Sequence, residues 1–181
     1  FERLRAQEEE ADFRARRGLN WGFIGLSYAS FYLCRYNLSF ANKSICDEFG
    51  FTKDQFGWVL TAFFWAYAVG QMLNGLVTDR IGGKQALAIG ALSTVVLNIL
   101  FGLASFWGLL SVFILIWLLN GYLQAFGAPG MIKANTAWFS QTERGKFAGI
   151  FGFMIQLARY AITKLAPILM VGFSILSWTI T

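Results

Sequence analysis

Long apolar runs alternate with short polar breaks along this chain. A bilayer core is about 30 Å thick, and a helix crosses it with about 20 mostly apolar residues. Five runs have that character, at about 20–40, 55–78, 85–106, 108–138 and 146–173. The fourth is long enough to tilt or bend. The breaks carry turn chemistry. Thr52-Lys53-Asp54-Gln55 reads as a capping box that starts the second helix, and Ser140-Gln141-Thr142-Glu143 as another before the fifth. Asp79 to Lys84 is a charged turn containing glycine, and only Ser105 to Trp107 separates the third and fourth runs. The pattern predicts an all-α, polytopic membrane helix bundle. Residues 1–19 form a charged segment ahead of a transmembrane bundle over 20–181. The chain begins at Phe1 rather than Met and stops at Thr181 behind an apolar run, so it reads as a fragment with an incomplete bundle.

Polar residues inside the runs follow helical spacing. Tyr28, Tyr32 and Arg35 fall at i, i+4, i+7 and share a helix face. Tyr67, Gln71, Asn74 and Thr78 make a stripe on the second run, Asn120 and Gln124 one on the fourth, and Gln156, Arg159 or Tyr160, and Thr163 one on the fifth. Any single stripe can simply join helices by hydrogen bonds. Four together suit a bundle around a wet cavity.

Composition narrows the class. Apolar residues make up 56% and charged residues only 14%, against about 25% charged in soluble domains, so a disordered chain or an ordinary water-soluble domain does not fit. With no His and two Cys, neither a His/Cys zinc site nor a disulfide framework is expected, and no Ser/His/Asp or Cys/His catalytic arrangement can be built. Gly121, Gly127 and Gly130 with Pro129 follow no strand; they suit close helix approach and a bend rather than a nucleotide loop. No enzyme activity, cofactor, metal or nucleic-acid partner is expected.

Charge sets the orientation. Arg3, Arg5, Arg14, Arg16, Arg17, Arg80, Lys84, Arg144 and Lys146 flank the runs on one side, against Lys43 and Lys53 on the other. This bias predicts a cytoplasmic N-terminus in a multi-pass protein of the cell (inner) membrane. Glu8, Glu9 and Glu10 among the arginines read as part of a solvated tail. Four cations remain inside the runs: Arg35, Lys133, Arg159 and Lys164. None of the ten acids lies deep in a run. A cation at a helix centre costs about 2.5–3.5 kcal/mol on insertion scales. Lys133 and Lys164 can snorkel to an interface, and Arg35, near the outer end of its run, can do so less easily. Otherwise these cations face water, another part of the protein, or an anionic ligand. Arg suits phosphate because its planar fork donates two hydrogen bonds.

Gly75-Leu-Val-Thr-Asp79-Arg80-Ile-Gly82-Gly83-Lys84 resembles the second-to-third loop signature of the major facilitator superfamily, with Gly83 at one usually basic position. The resemblance implies that Gly75, Asp79, Arg80 and Lys84 help hold the outward-open state. A narrower resemblance is to the organophosphate:phosphate antiporters, the glycerol-3-phosphate and hexose-phosphate transporters. It rests on Tyr32-Leu-Cys-Arg35-Tyr36-Asn37, Ala66-Tyr67, Asn120-Gly-Tyr-Leu-Gln124 and Trp138-Phe-Ser-Gln-Thr-Glu143-Arg144-Gly145. It implies a substrate site of Arg35, Tyr28, Tyr32, Tyr67 and Gln124, with Glu143 and Arg144 among the gating residues. The family's second-helix lysine falls at Gln71. Its fifth-helix histidine is absent, leaving Arg159 or Lys164 to supply charge. Its fourth-helix Trp-Pro-Pro appears as Ala128-Pro129-Gly130. The implied fold is five spans of an N-terminal six-helix half. The implied partners are the bilayer, a phosphorylated organic anion, inorganic phosphate and the C-terminal half of the same chain. A membrane sensor of the same ligand, a proton-coupled carrier and a structural multi-span protein remain alternatives.

Overall fold

The computed structural model describes residues 2–180, with side chains over 13–168. Six α-helices run in sequence: α1 Glu2–Phe49, α2 Lys53–Ile81, α3 Gly83–Leu103, α4 Leu110–Gln124, α5 Gly127–Trp138 and α6 Gln141–Ile180. A 3-10 turn at Ala104–Phe106 follows α3, so the predicted tight hairpin is a turn plus a short link. No strand occurs among the described residues.

Local chemistry explains the ends. Thr52 caps α2 by accepting from the Gln55 N–H at 3.2 Å, while the Gln55 side chain accepts from the Thr52 N–H at 3.0 Å. This is the reciprocal box expected from sequence. The helix stops at Gly82, whose φ of +91° disfavours any side chain. Before α6 only half of the expected box forms. The Ser140 N–H donates to Glu143 Oε2, but the Ser140 hydroxyl also donates to that oxygen, at 2.8 Å, instead of accepting. An ionised carboxylate is the stronger acceptor and turns the hydroxyl proton toward itself.

The fourth apolar run is two helices, α4 and α5, joined through Ala125 and Phe126. Pro129 sits in the first turn of α5, where a missing N–H breaks no intrahelical bond. α2 packs on α4, α1 on α6, and α3 on α4 and α5. Several approaches require glycine, and two show it most sharply. A Cβ on Gly121 would strike the Phe63 carbonyl oxygen, and one on Gly83 would meet Ala134 N at 2.5 Å and Gly130 O at 2.6 Å. Small residues let backbones close together where no hydrophobic effect drives helices to pair. Phe56, Val59, Phe63, Phe101, Phe113 and Trp117 fill one core cluster; Tyr28, Phe31 and Leu87 form a second.

Among the described residues, three stretches are long and apolar enough to cross a membrane: Lys53–Ile81, Gly83–Phe106 and Leu110–Trp138. α1 and α6, both read as spans from sequence, fall outside this set. α1 carries Tyr28, Tyr32, Arg35, Tyr36 and Asn37, which lower its hydropathy, while the apolar run of α6 continues beyond the described side chains. α1 also runs unbroken through residues 19 and 20, so no helix end marks the expected domain boundary. The side chains of Arg3, Arg5, Glu8, Glu9 and Glu10 lie outside the described residues, as do those beyond residue 168 of the fifth run.

The structure corrects one charge assignment. Lys133 was expected to lack a carboxylate partner, yet its Nζ lies 2.8 Å from Asp79 Oδ1 and 2.9 Å from the Asp79 carbonyl oxygen. Lys133 lies midway along α5, where Gly83 lets the start of α3 approach Ala134, and this sets it beside the α2–α3 turn.

Candidate anion-binding site

Arg35 lies half-buried where α1 faces α2 and α4. Its Nε donates to Gln124 Oε1 at 2.7 Å. Its guanidinium carbon sits 4.3 Å from the Tyr67 ring centroid, 5.1 Å from that of Tyr32 and 5.3 Å from that of Phe63. No carboxylate among the described residues pairs with it. Each ring contributes about 0.5–1 kcal/mol in such contacts. Three together offset much of the insertion cost of about 2.5–3.5 kcal/mol, but none cancels the charge.

Gln124 is buried, 1% exposed. Its amide nitrogen makes long contacts to Phe31 O, 3.5 Å, and Thr94 Oγ1, 3.4 Å. With the oxygen on Arg35, both ends of its amide face protein. Gln124 therefore braces Arg35, and the two terminal nitrogens of the guanidinium have no acceptor among the described residues. Tyr28 is buried beside this group, its ring edge-on to Tyr32 with centroids 5.7 Å apart.

A second cation joins the same aromatic column. Arg159 on α6 has its guanidinium carbon 4.9 Å from the Tyr36 centroid, and Tyr36 stacks on Tyr32 at 6.1 Å. Arg159 bonds Gln156 Oε1 at 3.3 Å and has no carboxylate partner among the described residues. Lys164 lies 5.7 Å over Tyr160 and is exposed, outside this column.

The second expected stripe divides. Tyr67 and Gln71 stay partly exposed, while Asn74 and Thr78 are buried. Asn74 donates to Tyr122 O at 2.8 Å, joining α2 to α4. Asn120 is fully buried and neither polar side-chain atom has a hydrogen-bond partner among the described residues.

The gating residues expected from sequence fall into two groups at the other end of the bundle. Gly75, Asp79 and Lys133 line one groove, Lys84 lines a ≈ 440 Å³ cavity between α1, α3 and α5, and Arg80 is exposed. Glu143 accepts from Arg17, with contacts of 3.3 and 3.5 Å. Arg144 donates to Phe139 O at 3.1 Å and Thr136 O at 3.2 Å, capping the carbonyl end of α5. The bonds from Ser140, and then the charge of Arg17, hold the Glu143 carboxyl below the usual carboxylate range.

Comparison with known proteins assigns this arrangement. The Major Facilitator Superfamily pattern matches residues 24–181. The chain belongs to the Major Facilitator Superfamily. This major facilitator chain is 38% identical over 123 residues to the membrane sensor protein UhpC of Salmonella typhimurium, covering 67% of the chain and 27% of that protein. It is 31% identical over 126 residues to a probable hexose phosphate transport protein of Chlamydia trachomatis, covering 70% and 27%. It is 33% identical over 147 residues to the glycerol-3-phosphate transporter of Bacillus subtilis, covering 80% and 33%. The chain thus spans about a quarter to a third of the length of these relatives. Family membership and the apolar helices make it a multi-pass membrane protein.

Sequence spacing brought out Arg35, Tyr28, Tyr32, Tyr67 and Gln124, and the structure gathers all five. Arg159 comes close only through Tyr36. Phe63, Thr94 and the Tyr36 bridge escaped notice. Phe63 lies one turn before Tyr67 on the same face, and Thr94 is the polar member of a buried face with Gly90 and Leu97.

Proposed function

We propose that the full protein exchanges an organic phosphate, of the glycerol-3-phosphate or sugar-phosphate type, for inorganic phosphate by alternating access. One observation carries this reading: a half-buried guanidinium, braced at Nε by Gln124 and faced by aromatic rings, with no carboxylate among the described residues. The open terminal nitrogens match the two-pronged geometry of a phosphoryl group. The relatives named for hexose phosphate and glycerol-3-phosphate support a ligand of that class.

In this reading Arg35 takes the phosphoryl oxygens. Tyr28, Tyr32 and Tyr67 shape the pocket, and Gln124 fixes the angle of the guanidinium. Arg159 adds positive potential through the tyrosine column. Transporters with two packed halves place substrate at their interface near the midplane, so the second half supplies the remaining contacts. The N-terminus is cytoplasmic. Gly75, Asp79, Arg80, Lys84, Glu143 and Arg144 lie at that side and hold one of the two access states. A bound anion offsets the desolvated charge of Arg35 and so lowers the cost of closing the halves around it.

The test is exchange by the full-length protein in liposomes loaded with inorganic phosphate. Uptake of glycerol 3-phosphate or glucose 6-phosphate that requires internal phosphate supports exchange. A second reading has a specific observation behind it, the 38% identity to a membrane sensor. Saturable ligand binding with no exchange would assign the protein to that role instead.

A further inference from the structure

A second guanidinium repeats the arrangement of Arg35 on the neighbouring helix. Arg159 on α6 has its guanidinium carbon 4.9 Å from the Tyr36 centroid, and its Nη1 donates to Gln156 Oε1 at 3.3 Å, one turn back on the same helix. Arg35 has its Nε on the amide oxygen of Gln124 and its guanidinium carbon 5.1 Å from the Tyr32 centroid. The Tyr32 and Tyr36 rings stack at 6.1 Å with 17° between their planes, so two rings link the two cations. These three steps set the upper limit on the separation of the charges. Each cation is steadied by one glutamine and keeps nitrogens with no acceptor among the described residues: both terminal nitrogens of Arg35, and Nε and Nη2 of Arg159. Arg159 and Gln156 are exposed, so that edge of Arg159 is open to a solute.

The surroundings carry one sign of charge. α3, α4 and α5 contain no acid. Along the other helices the flanking acids are Asp47 on α1, Asp54 and Asp79 on α2, and Glu143 on α6. Asp47, 11 positions past Tyr36, is the nearest along its own helix. That spacing is roughly 16 Å at the helical rise. Asp79 and Glu143 are already engaged by Lys133 and Arg17. A ligand that meets only Arg35 leaves Arg159 uncompensated, whereas one with an anionic group at each end satisfies both. Charge decides the second group. A phosphoryl dianion already matches two guanidinium charges. A carboxylate adds one further negative charge, and a second phosphoryl would add about two. Once the halves close around the ligand, surplus charge is costly. The Nε–Nη2 edge of Arg159 is also the planar fork that a carboxylate fits.

We propose that Arg159 is a second binding residue that selects an organic phosphate carrying a carboxylate at its other end, a phosphorylated hydroxy acid. The inference rests on the reading of Arg35 as the phosphoryl site and deepens it. Arg35 takes the phosphoryl group that the organic ligand shares with inorganic phosphate. Arg159 takes the carboxylate that inorganic phosphate lacks. The stacked Tyr32 and Tyr36 rings fix the spacing of the two guanidinium groups, so the site reads the length of the ligand as well as its charge.

The experiment measures equilibrium binding to the full-length protein, by competition with labelled inorganic phosphate, for a matched pair of ligands. Glycerol 3-phosphate and glycerate 3-phosphate differ at one carbon, a hydroxymethyl group against a carboxylate. Wild type should bind the glycerate ester about ten-fold or more tighter. Arg159→Gln should cut that preference to about two-fold or less. Arg159→Lys should keep part of it, since the charge remains and the fork is lost. Arg35→Gln should weaken both esters together. Wild-type protein that binds inorganic phosphate without favouring the glycerate ester would overturn the inference and leave the Arg35 reading standing. Equal weakening of both esters by Arg159→Gln would overturn it too, because it would mean a general effect of charge or fold. A bisphosphate of the same carbon skeleton that binds tighter than the glycerate ester would overturn the carboxylate assignment. If Arg159→Gln does not fold, Arg159→Leu decides by the same ratio. Wild-type protein that binds no phosphate would sink the Arg35 reading, and this inference with it.

Discussion

A guanidinium half-buried among helices needs its charge offset, and Arg35 has three rings and one amide oxygen for that purpose. The amide fixes Nε and leaves the fork for a ligand. Gln124→Leu should therefore strip the brace and leave a buried N–H without an acceptor, which costs about 1–3 kcal/mol. Phosphate affinity should fall about ten-fold or more, measured by equilibrium binding to the full-length protein. Arg35→Lys should lose at least as much, because an ammonium lacks the planar fork. Glu143 gives a pH prediction. Its carboxyl titrates below the usual value, so its bonds to Ser140 and Arg17 contribute stability above the unfolded-state pKa. That contribution is lost as pH falls through the depressed folded-state value. The melting temperature difference between wild type and Glu143→Gln should therefore be flat from pH 5 to 8, about the physiological range, and vanish in stronger acid. The shared face of Tyr28, Tyr32 and Arg35 was legible in their spacing. The division of labour between Arg35 and Gln124 was not, because periodicity gives a face and not a hydrogen-bond partner. Lys133 misled for a related reason: an apolar run does not show which of its cations meets a neighbouring turn, as this ammonium meets Asp79 from the middle of α5.

Between elements, glycine decides which backbones touch. A Cβ at Gly121 would collide with the Phe63 carbonyl oxygen, whereas one at Gly75 meets nothing within 4 Å. Gly121→Val should separate α2 from α4 and lower the melting temperature. Gly75→Leu should leave melting unchanged. If Gly75 gates by close approach to the other half, the same variant should slow exchange while folding normally. Equal losses of stability in both variants would contradict this. The helices themselves were legible as apolar runs with capping signals at Thr52 and Ser140. The α4–α5 break was legible only as a bend, because Pro129 and its glycines permit several geometries. α1 shows the limit of hydropathy. Its polar stripe, which carries Arg35 and the tyrosines of the aromatic column, lowers its hydropathy below that of the strongly apolar helices.

At the scale of the whole molecule, the chain is part of a major facilitator architecture, and its matched residues make up only 27% to 33% of the relatives it resembles. Its described surface is strongly apolar, with Trp65 at 71%, Met72 at 77% and Phe153 at 68% exposed. Lipid and the rest of the protein both suit such a surface. The fold class was legible early because a bilayer permits few spanning structures, and helices are the ones this composition supports. The chemistry of Arg35 points to an anion and carries no information on an organic group. The central claim is that Arg35 receives a phosphoryl group. Equilibrium binding of labelled inorganic phosphate to full-length wild type and Arg35→Gln, matched for folding by melting temperature, tests it most directly. The account predicts saturable binding in wild type and a loss of about a hundred-fold or more in the variant. Equal affinity in the two proteins would contradict it.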